Sequence, residues 1–297
     1  KEMNNRLAFW ELKMDKSKDK SMSEIFEMQK KEANQQFSKF IEDNYLSWLN
    51  GTSDETPILS HTLFKQKIAP FIKDKKTFLI VIDNFRYDQW KVLEPLFGEY
   101  FDVEEEDTYF SILPTATQYA RNSIFAGLMP SEIRKKFPSK WVEEDEEGSK
   151  NNFEEDFLLD QMKRLGISLK TSYNKITTNA KGKKLVDSFS DLLQNDFNVI
   201  VYNFVDMLSH ARTDMEVIKE LADDDSAYRS ITESWFKHSP LLEIIKKIQE
   251  SGHNIVLTTD HGMVKVTSPI KVIGDRSVNT NLRYKLGKNL SYKSKDV

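Results

Sequence analysis

The 297 residues carry 43 Lys and Arg against 47 Asp and Glu, a formal charge of -4, with 39% hydrophobic and 11% aromatic residues. That balance excludes a disordered chain and the overall basic character that drives nonspecific binding to long duplex nucleic acid. With no cysteine there is no disulfide, thiolate metal site or cysteine nucleophile, so metal chemistry has only oxygen and imidazole to draw on.

The amino end, KEMNNRLAFWELKMDKSKDK, lacks the apolar centre of a signal peptide. No apolar run approaches the roughly 18 residues of a membrane span, so the chain reads as cytoplasmic, without membrane insertion. It begins without methionine and ends at NLSYKSKDV without an obvious terminating element, which suggests an excerpt of a longer protein. From Ser21 to Leu49, Ile25, Phe26, Met28, Ala33, Phe37, Phe40, Ile41, Tyr45 and Trp48 recur at helical spacing without Gly or Pro. This predicts one long amphipathic helix facing a core or a second copy. Gly51 and TSDETP end it, and a short helical piece with Leu63, Phe64, Ile68 and Phe71 follows. Residues 1–70 are therefore expected to form a helical subdomain.

Three apolar runs come next, TFLIVID from 77, NVIVYNFVD from 198 and NIVLTTD from 254, separated by segments of helical period. Near-continuous apolar strands alternating with helices predict an α/β domain over 71–297, with a mostly parallel central sheet flanked by helices. FDVEEEDTYFSIL, from 101, is expected to add a strand, and a helix is expected from Thr117 to Gly127. KWVEEDEEGSKNNFEEDF, from 140, reads as a surface insertion or cap; the acidic runs Glu104–Asp107 and Glu143–Glu147 read as solvated surface.

Each of the three apolar strands runs directly into an aspartate: Asp83, Asp206 and Asp260. Ligands of open α/β sheets bind outside the carboxyl ends of the strands, so the three acids should converge. His210 follows Asp206 by four positions, which puts both on one helix face. His261 adjoins Asp260 before Gly262. Carboxylate and imidazole together suit zinc or manganese. His61, His238 and His253 lack such context and read as surface or packing residues. Thr117 opens its helix after a proline-containing turn, where the helix dipole favours an anion such as phosphate.

The ordered set Asp83, Thr117, Asp206 with His210, and Asp260 with His261 resembles the alkaline phosphatase superfamily. The Thr117-to-Gly127 stretch with its trailing GLMP is similar to the nucleophile helix of nucleotide pyrophosphatases and phosphodiesterases. Thr115 is a rival nucleophile that fits this spacing less well, and Arg121 sits where related sulfatases carry an arginine. More finely, LPTATQYARNSIFAG, YNFVDMLSHAR, VLTTDHGM and NTNLRYKLGKN resemble PglZ domains of PorX-type response regulators, the output proteins of two-component systems tied to type IX secretion. The resemblance implies two zinc ions, with manganese as the alternative. Asp83, Thr117, Asp260 and His261 would surround one, while Asp206 and His210 would hold the other with a later histidine. No histidine follows His261 here, so the domain reads as truncated at its carboxyl end.

The implied activity is hydrolysis of a nucleotide or short oligonucleotide phosphodiester, with Thr117 as nucleophile and Arg121 beside it. Arg86, Arg121, Arg276 and Arg283 could line a basic pocket for it. The resemblance also implies a homodimer, with a sensor kinase, a sigma factor and secretion-system proteins as partners. The competing expectations are a regulatory dimerisation and partner-binding module with a vestigial site, and a phosphomutase.

Overall fold

The computed structural model describes residues 2–15, 20–143, 149–264, 266, 270–275, 278–279 and 284–293. In chain order the elements are α1 (Glu2–Met14), α2 (Lys20–Asn50), α3 (Ser60–Leu63), a π-helical turn (Phe64–Ile68) and α4 (Ala69–Ile72). Then come β1 (Thr77–Ile82), α5 (Tyr87–Phe97), α6 (Thr117–Ala126), α7 (Pro130–Lys136), α8 (Glu154–Arg164) and β2 (Thr171–Ile176). The remainder is α9 (Asn179–Asp187), α10 (Phe189–Leu192), β3 (Phe197–Tyr202), α11 (Phe204–Asp214), α12 (Glu216–Leu221), α13 (Asp225–Lys237), α14 (Pro240–Glu250) and β4 (Asn254–Thr258). The expected parallel sheet flanked by helices is present, and α1 and α2 precede it.

Two compact units divide the chain. The first comprises residues 1–58, 75–110 and 170–259, and the second residues 59–74, 111–169 and 260–297. The first holds the sheet, ordered β2-β3-β1-β4 and parallel throughout. β1 and β3 are buried along their whole length, as strands covered on both faces must be, and this is why they read as unbroken apolar runs. On one face Phe78, Ile80, Ile82, Ile200 and Tyr202 form a core with Leu93 and Phe97 of α5, Leu185 of α9, Phe236 of α13 and Ile244 and Ile248 of α14. Leu79, Val81, Val199 and Val201, pointing the opposite way, are buried as well.

One strand expectation needs correction, and one strand was not anticipated. FDVEEEDTYFSIL contains no strand, because its groups are engaged otherwise. Glu106 accepts hydrogen bonds from Tyr87, Trp90 and Lys91 at 2.8 Å each. The Phe110 amide donates to the Ile58 carbonyl at 2.9 Å, and its ring lies 6.0 Å from Phe37 and 5.2 Å from Trp48 of α2. Part of the aromatic stripe of α2 is thus a docking surface for this segment. The fourth strand is instead TSYNKI, which among the described residues pairs only with β3 and is mostly half-buried, so its residues need not be apolar.

The first unit also contains a charge network joining α1, α2, α5 and α13. The Arg229 guanidinium contacts Asp88 at 2.7 Å, Asp15 at 2.6 Å and Glu11 at 3.2 Å. Arg86 pairs with Asp88 and, at 2.9 Å, with Asp225, while Lys30 reaches Glu11 at 2.9 Å and Asp225 at 3.5 Å. Arg86 is therefore neutralised by carboxylates of its own unit and does not offer the expected basic pocket a free charge.

Burial alone would raise the Asp88 carboxyl, but hydrogen bonds and charge from Arg86 and Arg229 hold it below the usual carboxylate range. A carboxyl depressed by folding contributes stability above its unfolded value, about pH 4, and loses it as the pH falls through the folded value. Asp88→Asn is accordingly expected to cost about 3 kcal/mol at pH 7, because it leaves two buried guanidiniums short of a counter-charge. In urea titrations the gap from the unaltered chain should narrow below about pH 4; a gap independent of pH would remove Asp88 from the network's energetics.

Candidate metal centre and nucleophile

At the carboxyl edge of the sheet, β1 ends in the turn Asp83–Asn84–Phe85, all three buried. Asn84 has φ 58°, a left-handed conformation that asparagine tolerates better than most residues. The Phe85 amide donates to Thr259 Oγ1 at 2.9 Å, tying this turn to the end of β4. Ile82 is registered with Tyr202, so Asp83 falls opposite Asn203, whose Nδ2 donates to Asp83 Oδ2 at 3.0 Å. Asn84 Nδ2 donates in turn to Asp206 Oδ1 at 3.3 Å. In α11 the four-residue spacing works as expected: His210 Nε2 lies 3.4 Å from Asp206 Oδ2, with the His210 side chain 70% exposed.

The second unit holds Thr117 at the first turn of α6 and Asp260–His261 just beyond β4. Thr117 Oγ1 lies 3.0 Å from His261 Nε2. On the other side of that ring, Nδ1 lies 3.2 Å from the Gly262 carbonyl. A carbonyl only accepts, so the tautomer these contacts favour carries hydrogen on Nδ1 and turns the Nε2 lone pair toward the threonine. The His261 amide donates to Asp260 Oδ1 at 2.9 Å, fixing the carboxylate against its own backbone.

Arg121, one helical turn beyond Thr117, is fully buried and hydrogen-bonded to buried Glu154, and its Nη1 stands 3.9 Å from Asp260 Oδ2. Glu154 comes from the acidic stretch expected as surface. Some residues in the carboxyl part of that stretch are instead internal, Asn151 and Glu154 among them, while Glu155 and Asp156 are exposed; Asn151 donates to the Thr117 carbonyl at 3.2 Å and to Asn122 at 3.1 Å. Gln161 of α8 donates to the carbonyls of Ile124 and Phe125, at 2.9 and 2.8 Å, capping α6 where it ends at Gly127. Gly127 has φ 59°, a left-handed conformation that favours glycine, and a Cβ there would stand 2.1 Å from Gln161 Oε1, so a side chain would displace the capping amide. Residues 144–147 of the second acidic run lie outside the described residues, as do Arg276 and Arg283.

The remaining histidines have local partners: His238 Nδ1 is 2.7 Å from the Ser234 carbonyl, and His253 packs edge-on against Phe78. His61 is partly buried in α3; burial lowers its imidazole, against the charge of Glu132.

Asp83 in the first unit, and Asp260 and His261 in the second, are buried residues of the type that can hold a metal ion, and carboxylate with imidazole suits a divalent cation. Asp206 and His210 form a further pair in the first unit. Asn84 and Asn203 did not stand out in the sequence; the only signal was their position beside the strand-terminal aspartates.

A family model described as the BREX system PglZ alkaline phosphatase-like domain matches residues 63–297. The chain belongs to the PglZ family. Residues 1–49, which include α1 and most of α2, match a model described as the PorX response regulator linker domain. Comparison with curated proteins finds no match. Buried residues of metal-ligating type within an alkaline phosphatase-like PglZ domain support a metal-dependent hydrolase. No helix among the described residues is long and apolar enough to cross a membrane.

Proposed function

We propose that the PglZ domain is a zinc-dependent phosphodiesterase, with manganese as the alternative ion, acting on a nucleotide or short oligonucleotide with Thr117 as nucleophile. The observation that carries this reading is the contact of Thr117 with His261 at 3.0 Å, which joins a hydroxyl at a helix amino terminus to a buried imidazole that adjoins the buried Asp260 carboxylate. Asp83, Asp260 and His261 would hold one ion, and Asp206 with His210 would contribute to a second. Bound there, zinc or manganese supplies Lewis acidity toward a phosphoryl oxygen and lowers the pKa of a coordinated hydroxyl.

The protein's own contributions follow from the residues. Thr117 Oγ1 attacks phosphorus, forming a phosphothreonyl intermediate as the leaving oxygen departs, and water then cleaves that ester. The amino terminus of α6 lends its dipole to the phosphoryl oxygens. Arg121, committed to Glu154, keeps its charge beside Asp260 and fixes that carboxylate. Residues 1–70 form the helical linker segment in this reading and 71–297 the effector, placed in the cytoplasm as the output of a two-component regulator.

A regulatory dimerisation module is the second reading, favoured by the exposed Phe9, Trp10, Ile25 and Met28 of α1 and α2. The deciding experiment is zinc titration of the protein followed by assay on bis(p-nitrophenyl) phosphate. Metal uptake with zinc-dependent release of p-nitrophenol is the expected result. Metal-free, inert protein that still sediments as a dimer would overturn the hydrolase and leave the regulatory module.

A further inference from the structure

Asn203 stands at the amino-terminal boundary of α11, directly opposite Asp83 across the β1–β3 register. Its amide has two chemically distinct ends. A carboxylate only accepts hydrogen bonds, so the end facing Asp83 Oδ2, at 3.0 Å, is the NH2 group. The carbonyl end, Oδ1, is buried and has no hydrogen-bond partner among the described residues. A buried amide oxygen left in this state is destabilising, so it calls for a donor that the described side chains do not supply.

The donor is constrained by what surrounds it. Asp83 is a metal ligand in the proposed function, and Asn84 of the same turn holds Asp206, which pairs with His210. These amide–carboxylate bonds cross: Asn203 beside β3 secures the acid of β1, and Asn84 beside β1 secures the acid that follows β3. Each fixes one carboxylate while leaving its second oxygen to other partners. The chemistry that brings both positive charge for the carboxylates and O–H donors for an amide oxygen is a hydrated divalent cation.

We propose that Asn203 is a positioning residue of the metal centre, orienting Asp83 through Nδ2 and accepting through Oδ1 a hydrogen bond from water carried by the bound ion. The inference rests on the metal reading of the site.

Calorimetric titration of the full chain with Zn²⁺ alone, and separately with Mn²⁺ alone, tests it in the unaltered protein and in Asn203→Ala, Asn203→Leu and Asn198→Ala. Leucine preserves the shape of asparagine without its donor or acceptor, so it serves where alanine fails to fold. Asn198 is a buried asparagine near the other end of the same strand, bonded to Ser172, Asn195 and the Leu192 carbonyl, and it reports the cost of losing such an amide without the metal centre. The Asn203 variants are expected to bind the ion about 10–100-fold more weakly, and Asn198→Ala to bind like the unaltered chain. Unchanged affinity in both Asn203 variants, or equal weakening in Asn198→Ala, overturns the inference alone. No ion uptake by the unaltered chain overturns the metal reading and this inference with it.

Discussion

Thr117→Val is expected to lower turnover of bis(p-nitrophenyl) phosphate on the order of 10³-fold or more, with the fold retained and zinc uptake close to that of the unaltered chain. Valine keeps the branched shape of threonine and removes only the hydroxyl. The α6 helix does not depend on that hydroxyl: Ala116 is its boundary residue and no side-chain cap is present. The backbone around Thr117 is supported from elsewhere, since Asn151 holds its carbonyl and the Ala120 amide bonds to the Ala116 carbonyl at 2.9 Å. Loss of activity therefore reports the chemistry of Oγ1. Turnover within a few-fold of the original would remove Thr117 from the nucleophile's role and return Thr115 to consideration.

Glu154→Ala is expected to cost about 3–5 kcal/mol of stability, the range for breaking a buried ion pair by removing one partner. Side-chain exposure is 1% for Arg121 and 0% for Glu154, so water cannot replace the lost carboxylate. Asp260, at 3.9 Å, is a remaining counter-charge, and drawing the guanidinium toward it would disturb the carboxylate assigned to the metal. Zinc affinity should thus fall together with the urea midpoint. The double variant Arg121→Met/Glu154→Leu, which removes both charges and fills much of the space, should recover most of the stability. A single-variant loss below about 1 kcal/mol would show that the pair is solvated, contrary to its burial.

The sheet was legible where burial on both faces forces a continuous apolar run, as in β1 and β3, and β4 was legible from its run into Asp260. β2 was not, because an edge strand that is only half-buried tolerates Ser172, Asn174 and Lys175. The acidic character of residues 140–157 concealed the opposite fate of one of its members: a charge count cannot distinguish solvated Glu155 from Glu154, which is buried because Arg121 waits for it. Among the site residues, strand-terminal aspartates and the Asp206–His210 spacing could be read because chemistry and period coincide there. Asn84 and Asn203 could not, since a neutral amide after a strand reads as a turn, and only the β1–β3 register shows which carboxylate each one meets.

The pairing of β1 with β4 brings residue 77 alongside residue 254. Contacts that close so much intervening chain come at a high entropic cost and form slowly compared with helices or neighbouring strands. Thr259 can close the Asp83 turn only once β4 has docked, so the carboxyl edge of the sheet is expected to be completed late in folding. During synthesis the chain must emerge past β4 before that edge can exist, which leaves earlier, shorter forms without the geometry that the proposed chemistry requires.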